Sequence, residues 1–347
     1  MKLHVFSLFI AALVLALAPV ACKKKAPPPK YDVYVAGYEN GVQENGMATL
    51  WVNNEPQRLT DGFSKAAASS VYVLGQDVYV AGYENATDGN PVAMLWVNGE
   101  VKSLDQGDGA AEANSVFAVG RDVYVAGYEK NAHGIKDAVL WKNGEPSYLS
   151  DGGRNAAAYS VFVYGKDVYV AGYEDNERGN GVVMLWKNGV GEPQTDGDND
   201  AAARSIFVSN GDVYIAGYEN NDRKVSVATV WKNGEPERLC QGDTKSGAYS
   251  VFVSGNSVYV AGIEDNAQGN GVATQWDNGK VKKLSNGGFD AWASSIFVIG
   301  KDVYVTKYGE EFAGKAPILR ASVCLNGHAH PLSGEKTAGA AHSVFVK

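Results

Sequence analysis

The chain has 347 residues, 45% of them hydrophobic and 20% charged, which is an ordinary composition for a globular protein. Five of its 31 lysine and arginine residues lie in residues 1–30, which hold no acidic residue, so the remainder has 26 basic and 39 acidic residues, a formal charge of −13. Such an acidic body repels phosphate backbones and excludes nucleic acid as a partner. Three cysteines are too few for a disulfide framework in a chain of this length.

The N-terminal segment has the pattern of an export signal. A short basic start precedes an apolar run from Val5 to Ala21, and the run ends in Pro19-Val20-Ala21-Cys22. This ending resembles the lipobox of bacterial lipoproteins. The resemblance implies a signal peptide at 1–21, lipidation of Cys22, a tether at 22–30 and a location in the bacterial cell envelope, with the membrane bound through the lipid. The alternative is an uncleaved membrane anchor, since about 17 apolar residues is the short end of a spanning helix.

A single stretch, Asp-Val-Tyr-Val-Ala-Gly-Tyr-Glu, recurs along the rest of the chain. It is complete at 32–39, 77–84, 122–129 and 167–174, and it returns in altered form at 212–219, 257–264 and 302–309, always in steps of 45 residues. Repeats of this size stack into one continuous body. We therefore predict one domain over 31–347.

Each repeat reads as four short strands. In the second repeat these are Ser70–Val73, Asp77–Tyr83, Val92–Val97 and Val101–Leu104. We name them strands A to D. Asn98-Gly99 between strands C and D is a strong hairpin signal, and an Asn-Gly pair recurs at this place in every later repeat. The short connections predict a four-stranded antiparallel meander.

Both faces of such a sheet are apolar, so neighbouring repeats must cover one another, which predicts a β-propeller. The order and rhythm of the unit resemble those of kelch and WD40 blades at the level of the superfold. The repeat-containing body begins at strand B of one repeat, at Asp32, and ends on a solitary strand A, Ser343–Val346. We predict an all-β, seven-bladed propeller closed by pairing of the C-terminal strand with the N-terminal blade.

Two kinds of residue recur in the repeat. One aromatic position in strand C is interpreted as core between blades, with Cys324 in the seventh place; it holds Trp51, Trp96, Trp141, Trp186, Trp231 and Trp276. A glutamate closes strand B in six copies. These glutamates suggest either a ring that binds a cation or, as we favour, acceptors for loop amides.

Three other motifs carry weak metal or disulfide signals. Asp196 to Asp200 has the alternating acids of a calcium loop but lacks its glycine and its bidentate glutamate. His328 and His330 have no evident third ligand, and Cys240 and Cys324 lie two blades apart. We predict no metal and no cofactor.

An asymmetric site needs positions where the blades differ. In the segment Ala-Ala-Ala-x-Ser, placed in the loop that enters strand A, the x position varies, and so does the position two residues before it. The candidate ligand-binding residues are Glu112, Asn114, Tyr159, Arg204, Tyr249, Trp292 and His342. Flat aromatic faces with one cation suit sugar rings or peptide at the channel mouth. The alternative is neutral drift at exposed positions.

We therefore expect an envelope-anchored binding or scaffold module that recognises a glycan or protein partner at the mouth of the central channel. One alternative is a propeller enzyme, of hydrolase type, that acts at the same mouth. Another is a purely structural scaffold. The repeat-constant residues supply no serine, histidine and aspartate arrangement for hydrolysis.

Overall fold

The computed structural model describes residues 30–41, 45–104, 109–313, 316–334 and 336–347, without the side chains of residues 312, 313 and 316. The predicted signal peptide, Cys22 and nearly all of the tether lie outside the described residues. In the part that is described, no helix is long and apolar enough to span a membrane.

The described chain consists of short strands. The first three blades contain β1 (Val33–Asn40), β2 (Gly46–Val52), β3 (Glu55–Arg58), β4 (Ala66–Leu74), β5 (Asp77–Asn85), β6 (Pro91–Val97), β7 (Glu100–Ser103), β8 (Ala111–Val119), β9 (Asp122–Lys130), β10 (Lys136–Lys142) and β11 (Glu145–Tyr148). The next two contain β12 (Ala156–Tyr164), β13 (Asp167–Asp175), β14 (Gly181–Lys187), β15 (Val190–Pro193), β16 (Ala201–Ser209), β17 (Asp212–Asn220), β18 (Ser226–Lys232) and β19 (Glu235–Arg238). The last two contain β20 (Ser246–Ser254), β21 (Ser257–Asp265), β22 (Gly271–Asp277), β23 (Lys280–Lys283), β24 (Ala291–Ile299), β25 (Asp302–Ala313), β26 (Ala316–Leu325) and β27 (His328–Pro331), and β28 (Gly339–Val346) ends the chain.

These strands form seven antiparallel sheets of four strands each over the described ranges. Strand A of blades two to seven is β4, β8, β12, β16, β20 and β24, and each is followed in order by strands B, C and D. Blade one joins the two ends of the chain in the order β28, β1, β2, β3. Val344 pairs with Val35, and the backbone amides of Asp32 and Lys347 each donate to the other's carbonyl at 2.9 Å. The predicted all-β, seven-bladed fold and its closure are confirmed.

The hairpin between strands C and D follows the predicted turn chemistry. Asn98 and Gly99 have φ of 53° and 84°, the positive values that a type I′ turn needs. The side-chain oxygen of Asn98 also accepts the N–H of Val78 at 2.9 Å, and its nitrogen donates to Asp77 at 2.9 Å. Each turn therefore tightens its own blade.

The core lies between blades. Seven apolar clusters occur among the described residues, one for each interface, and the six strand-C tryptophans are 0 to 1% exposed within them. Trp141, for example, packs on Ala81, Leu95 and Leu104 of the preceding blade. The interpretation of these tryptophans as inter-blade core is confirmed.

Blade seven changes two core positions together. In the other blades a glycine of strand B lies beside the tryptophan: a Cβ on Gly127 would come within 2.8 Å of the Trp141 ring. In blade seven these two positions hold Lys307 and Cys324, and both are buried. A smaller strand-C side chain thus occurs together with a larger strand-B side chain in this blade. The three extra residues of this blade do lie between strands B and C, where they lengthen a paired hairpin that reaches Ala313 and Ala316.

Strand A is longer than the sequence suggested, because a β-bulge lets it continue towards one end of the ring. In blade two it begins at Ala66, and its pairing shifts between Ala68 and Ser70, which leaves Ser69 as the extra residue. The bulge brings the carbonyl of Ala67 within 2.1 Å of where a Cβ on Gly82 would stand. This close approach explains the glycine in Asp-Val-Tyr-Val-Ala-Gly-Tyr-Glu.

The A strands form the inner wall of the ring. A serine hydroxyl in each accepts the backbone N–H of an adjacent blade at 3.1 to 3.3 Å, as Ser70 does from Val116. Two residues further along, seven half-buried aromatic rings form a closed belt with 4.5 to 5.1 Å between neighbouring centroids: Tyr72, Phe117, Phe162, Phe207, Phe252, Phe297 and Phe345. This belt narrows the channel below the end where strand A begins.

Candidate functional site

One end of the ring, here called the mouth, collects the first residues of strand A, the last residues of strand B and the B-to-C loops. All seven candidate residues lie there. The sequence analysis placed them in a loop, and this was wrong: they belong to strand A. Glu112 and Trp292 lie two residues before the bulge, and the other five occupy the bulge itself. The extra residue breaks the alternation of the strand and directs these varied side chains towards the mouth.

Two of the candidates join blades together. The side-chain nitrogen of Asn114 donates to the carbonyl of Ala158 at 3.0 Å, and Nδ1 of His342 lies 3.1 Å from the carbonyl of Ala68. Ser294 makes the equivalent bond to Ala341 at 2.6 Å. A carbonyl can only accept, so Nδ1 of His342 carries the proton. Burial lowers the pKa of His342 below its ordinary value.

Arg204 and Tyr159 form a cation–π pair. The guanidinium carbon lies 4.4 Å from the ring centroid of Tyr159, which stacks on Tyr173 at 6.0 Å. Among the described residues no carboxylate lies within ion-pair distance of Arg204, and its buried Nε has no hydrogen-bond partner. This guanidinium is therefore available to a ligand.

Tyrosines of strand B surround that charge. Burial raises the pKa of Tyr173 and of Tyr218 to about 12, although the positive charge of Arg204 acts in the opposite direction on both. Burial also raises the pKa of Tyr249. The phenols therefore stay protonated at neutral pH and can donate hydrogen bonds; the hydroxyl of Tyr218 donates to Asp200 at 3.1 Å.

Trp292 provides a flat apolar surface. Its ring stacks on Tyr308 with 5.2 Å between centroids and 21° between planes. In four other blades the same position holds the small side chain of alanine: Ala67, Ala157, Ala202 and Ala340. Trp292 is therefore a large group in a place that the repeat keeps small.

A cavity of about 570 Å³ opens at the mouth over blades five to seven; we call it the A-site. Arg204, Tyr249 and Trp292 line it together. Its other lining residues are Tyr218, Asn220, Lys224, Ser226, Lys245, Ser246, Gly247, Ile263, Asp265, Gly269, Gly271 and Asp290. Three of the seven candidates are thus brought to one cavity.

Two smaller side chains make room for the A-site. Gly247 and Ile263 are pairing partners in blade six, and at the position of Ile263 the other six blades have tyrosine. The position of Gly247 holds alanine or a larger residue elsewhere. Neither residue was among the predicted ligand-binding residues. The available signal was the loss of volume at two facing positions.

Lys224 is a further lining residue that the sequence analysis missed. It has φ of +60°, and the same place in four other blades holds Gly89, Gly134, Gly179 or Gly269. A side chain in this left-handed conformation is strained, and such strain concentrates at functional positions. Its Nζ donates to the neutral side chain of Asn199 at 3.2 Å.

A second cavity of about 490 Å³, the B-site, lies over blades one to three. Tyr38, Tyr83, Glu112, His342 and Lys65 are among its lining residues. Burial, followed by the negative charge of Glu112, raises the pKa of Tyr83, and the same two causes hold that of Tyr128 far above its ordinary value. Asn114 and Tyr159 line neither of these cavities.

Some of the strand-B glutamates contact strand D of their own blade. Glu129 accepts the hydroxyl of Tyr148 at 2.7 Å, and Glu264 pairs with Lys283. Burial raises the pKa of Glu39 although Arg58 lowers it. A hydrogen bond from the backbone of Gly334, in the loop before β28, also lowers the pKa of Glu39, so a loop amide is the partner predicted for these carboxylates in this blade.

The weak motifs are engaged locally. Asp198 forms an ion pair with Arg178 at 2.6 Å, and Asp200 accepts the N–H of Gly181 at 2.9 Å. Within the described ranges no group of three metal-ligating side chains occurs. His328 and His330 are exposed on β27. Cys240 and Cys324 are free thiols, and Cys240 lies 2.8 Å from the hydroxyl of Ser246.

No family model and no curated protein matches the chain. Among solved structures, the acylaminoacyl peptidase of Pyrococcus horikoshii aligns with 87% of this chain and 50% of its own, at 13% identity and a TM-score of 0.54. A puromycin-hydrolysing peptidase of Mycobacterium tuberculosis aligns with 78% of this chain and 46% of its own, at 16% identity and a TM-score of 0.50. The chain thus spans about half the length of these proteins, and the likeness shows the propeller fold.

Proposed function

We propose that this chain is a binding module that recognises a glycan or protein partner at the mouth, with the A-site as the contact. One observation carries the proposal: five residues that set blades five to seven apart from the repeat line a single cavity. Lys224, Gly247, Ile263 and Trp292 differ from the prevailing residue at their positions, and Arg204 is the one arginine at a position that varies from blade to blade. All five line the A-site.

The five changes also act in one direction. Gly247 and Ile263 remove volume, whereas Arg204, Lys224 and Trp292 bring two charges and a flat ring to the space that results. A cavity of this size lies within the range of roughly 300 to 1,000 Å³ that is typical of small-ligand sites. Convergent polar groups and an aromatic surface supply orientation and contact area for a bound ligand.

The test uses residues that other blades already tolerate. Variant one is Arg204→Ser, Lys224→Gly and Trp292→Ala, which copies Ser69, Gly179 and Ala202. Variant two is Gly247→Ala and Ile263→Tyr, which fills the cavity; a Cβ on Gly247 would make ordinary contact with Tyr249 at 3.5 Å. Binding to a glycan array and to proteins from bacterial envelope extract is measured together with thermal melting.

Both variants are expected to keep a cooperative melting transition and to lose binding by about tenfold or more. The matched control is Asn114→Ser, which changes a bulge residue that lines neither cavity. Retention of every interaction by both variants would contradict the proposal, and so would the absence of any interaction in the unaltered protein.

We further propose that a lipid on Cys22 holds the module in the bacterial envelope. The supporting pattern is the position of Cys22 at the end of the apolar run, after Ala21. Cells labelled with a palmitate analogue are expected to transfer label to the protein and not to its Cys22→Ala variant. Labelling that survives the substitution would rule out this anchor.

A further inference from the structure

We propose that the A-site takes a carboxylated saccharide, a sugar ring that carries a single carboxylate, bound by Arg204 and Lys224 and stacked on Trp292. This inference rests on the proposed function and names the ligand class for the same cavity. Three features support it. They are the unpaired charges of Arg204 and Lys224, the strained backbone of Lys224, and the hydrogen-bond acceptors Asp265 and Asp290 on the lining.

Two of the three cations that line the A-site are not neutralised by its acids. Among the described residues Arg204 has no carboxylate within ion-pair distance, and the amine of Lys224 donates to the neutral side chain of Asn199. The third cation, Lys245, lies near Asp265 and lowers the pKa of that carboxyl. Asp290 already accepts the N–H of Gly271 at 2.7 Å. Three cations against two carboxylates therefore line a cavity in a body that is otherwise strongly acidic, which favours an anionic ligand.

Lys224 indicates that a positive charge is needed at its position. Glycine adopts the left-handed conformation there without strain, as it does in four blades with φ between 76° and 87°. Lysine keeps the same backbone at φ of +60° and lines the A-site, with its amine bonded to Asn199. A residue chosen for the turn alone would be glycine, so the side chain supplies the reason for the strain.

The ligand also requires a flat face and hydroxyl donors. Trp292 stacks on Tyr308, and it also lines the A-site, where it can stack on a sugar ring. Asp265 and Asp290 lie on the same lining; burial and the negative charge of Asp290 raise the pKa of Asp265, although Lys245 opposes them. Carboxylate oxygens accept hydrogen bonds from sugar hydroxyls, whereas they would repel a doubly charged phosphate.

A peptide with a free carboxylate shares the charge of such a sugar. It lacks the row of hydroxyl donors that would match Asp265 and Asp290, and its backbone is not a flat ring for Trp292. A saccharide with one carboxylate therefore fits the whole lining, and the peptide becomes an outcome of the test.

The experiment compares a charged saccharide with its neutral ester and with an acidic peptide. Calorimetry measures the full protein against oligogalacturonate of four to six residues, its methyl ester, and an acidic peptide of similar length. A glycan array adds glucuronate-terminated and sialate-terminated chains with their neutral counterparts. The unaltered protein is expected to bind at least one carboxylated series about tenfold more tightly than its neutral counterpart, with affinity that falls as salt rises.

Single variants then assign the roles. Arg204→Ser and Lys224→Gly are each expected to remove most of the preference for the charged form, whereas Trp292→Ala should weaken charged and neutral forms together. Equal affinity for charged and neutral sugars, preference for the acidic peptide, or no binding to any carboxylated saccharide would overturn the inference. If a neutral glycan or a protein binds and cavity filling abolishes it, the proposed function stands while this inference fails.

Discussion

The layer between the blades and the mouth over blades five to seven are built in opposite ways. The layer uses the same residue at the same place in six blades, and Trp51 to Trp276 are almost fully buried at successive interfaces. The A-site uses residues that occur once each in the ring, among them Arg204, Lys224 and Trp292. Symmetry suits packing, because each interface has the same shape, whereas an asymmetric ligand needs groups that the repeat does not supply.

The comparison predicts that two tryptophans differ greatly in their effect on stability. Trp141→Ala should lower the free energy of unfolding by about 3 to 5 kcal/mol, because it removes a fully buried ring from the interface and leaves a cavity. Trp292→Ala should change it by less than about 1 kcal/mol, because four blades pack well with alanine there. Urea unfolding of both variants measures the difference. Equal losses would mean that Trp292 belongs to the packing layer.

Blade seven offers a test of the packing layer itself. Cys324→Trp alone should destabilise the protein by about 1 to 3 kcal/mol, because it adds a large ring at a fully buried position in the blade that has buried Lys307 in place of glycine. Combining it with Lys307→Gly recreates the pair found in the other blades and should recover most of that loss. The double-mutant cycle is expected to give a coupling energy of about 1 kcal/mol or more. A coupling near zero would show that the two changes are independent.

Lys224 lowers the stability of the fold through its strained backbone, and its side chain adds a positive charge to the lining of the A-site. Lys224→Gly should stabilise the fold by about 1 kcal/mol, because glycine relieves the left-handed strain at φ of +60°. The reverse change in blade four, Gly179→Lys, should destabilise by a similar amount and serves as the matched control. Chemical unfolding of both variants decides; a loss of stability in Lys224→Gly would show that the amine holds the fold together.

Most of the fold could be predicted from the sequence because it is encoded by local patterns repeated seven times. The Asn-Gly turns, the aromatic strand positions and the split of one repeat between the chain ends predicted the blades and their closure. The aromatic belt of Tyr72 and the six phenylalanines had the same kind of signal, a constant aromatic in strand A, but its meaning depends on the strands meeting around one axis.

The site was predicted only in part. Comparing the blades at the x position of Ala-Ala-Ala-x-Ser and at the position two residues before it identified Arg204, Tyr249 and Trp292. An added ring or charge can be seen at one aligned position of the repeat. Gly247 and Ile263 matter as a pair that loses volume, and this requires the strand register. The bonds of Asn114 and His342 to neighbouring carbonyls depend on the bulge in strand A, which the sequence did not reveal.

His342 yields the smallest expected effect. Burial lowers its pKa in the folded state, so below about pH 6.5 the unfolded chain binds a proton at His342 that the folded protein does not bind. This group therefore leaves stability unchanged above that pH and lowers it as the pH falls. His342→Asn should keep the bond to Ala68, as Asn114 bonds to Ala158, and should remove this component, about 0.5 kcal/mol between pH 7 and pH 6.

The measurement is the difference in unfolding free energy between His342→Asn and the unaltered protein at each pH. Carboxyls with raised pKa values, such as Glu39 and Glu219, contribute to the pH dependence of stability with the opposite sign. Their contribution is the same in both proteins and cancels in the difference. The stability difference, variant minus unaltered protein, should increase in favour of the variant as the pH falls. A constant difference from pH 7 to pH 5 would mean that the folded protein protonates His342 as readily as the unfolded chain does. His342 would then be exposed to solvent at the mouth, like the variable residues of the A-site. Its bulge position would not connect neighbouring blades.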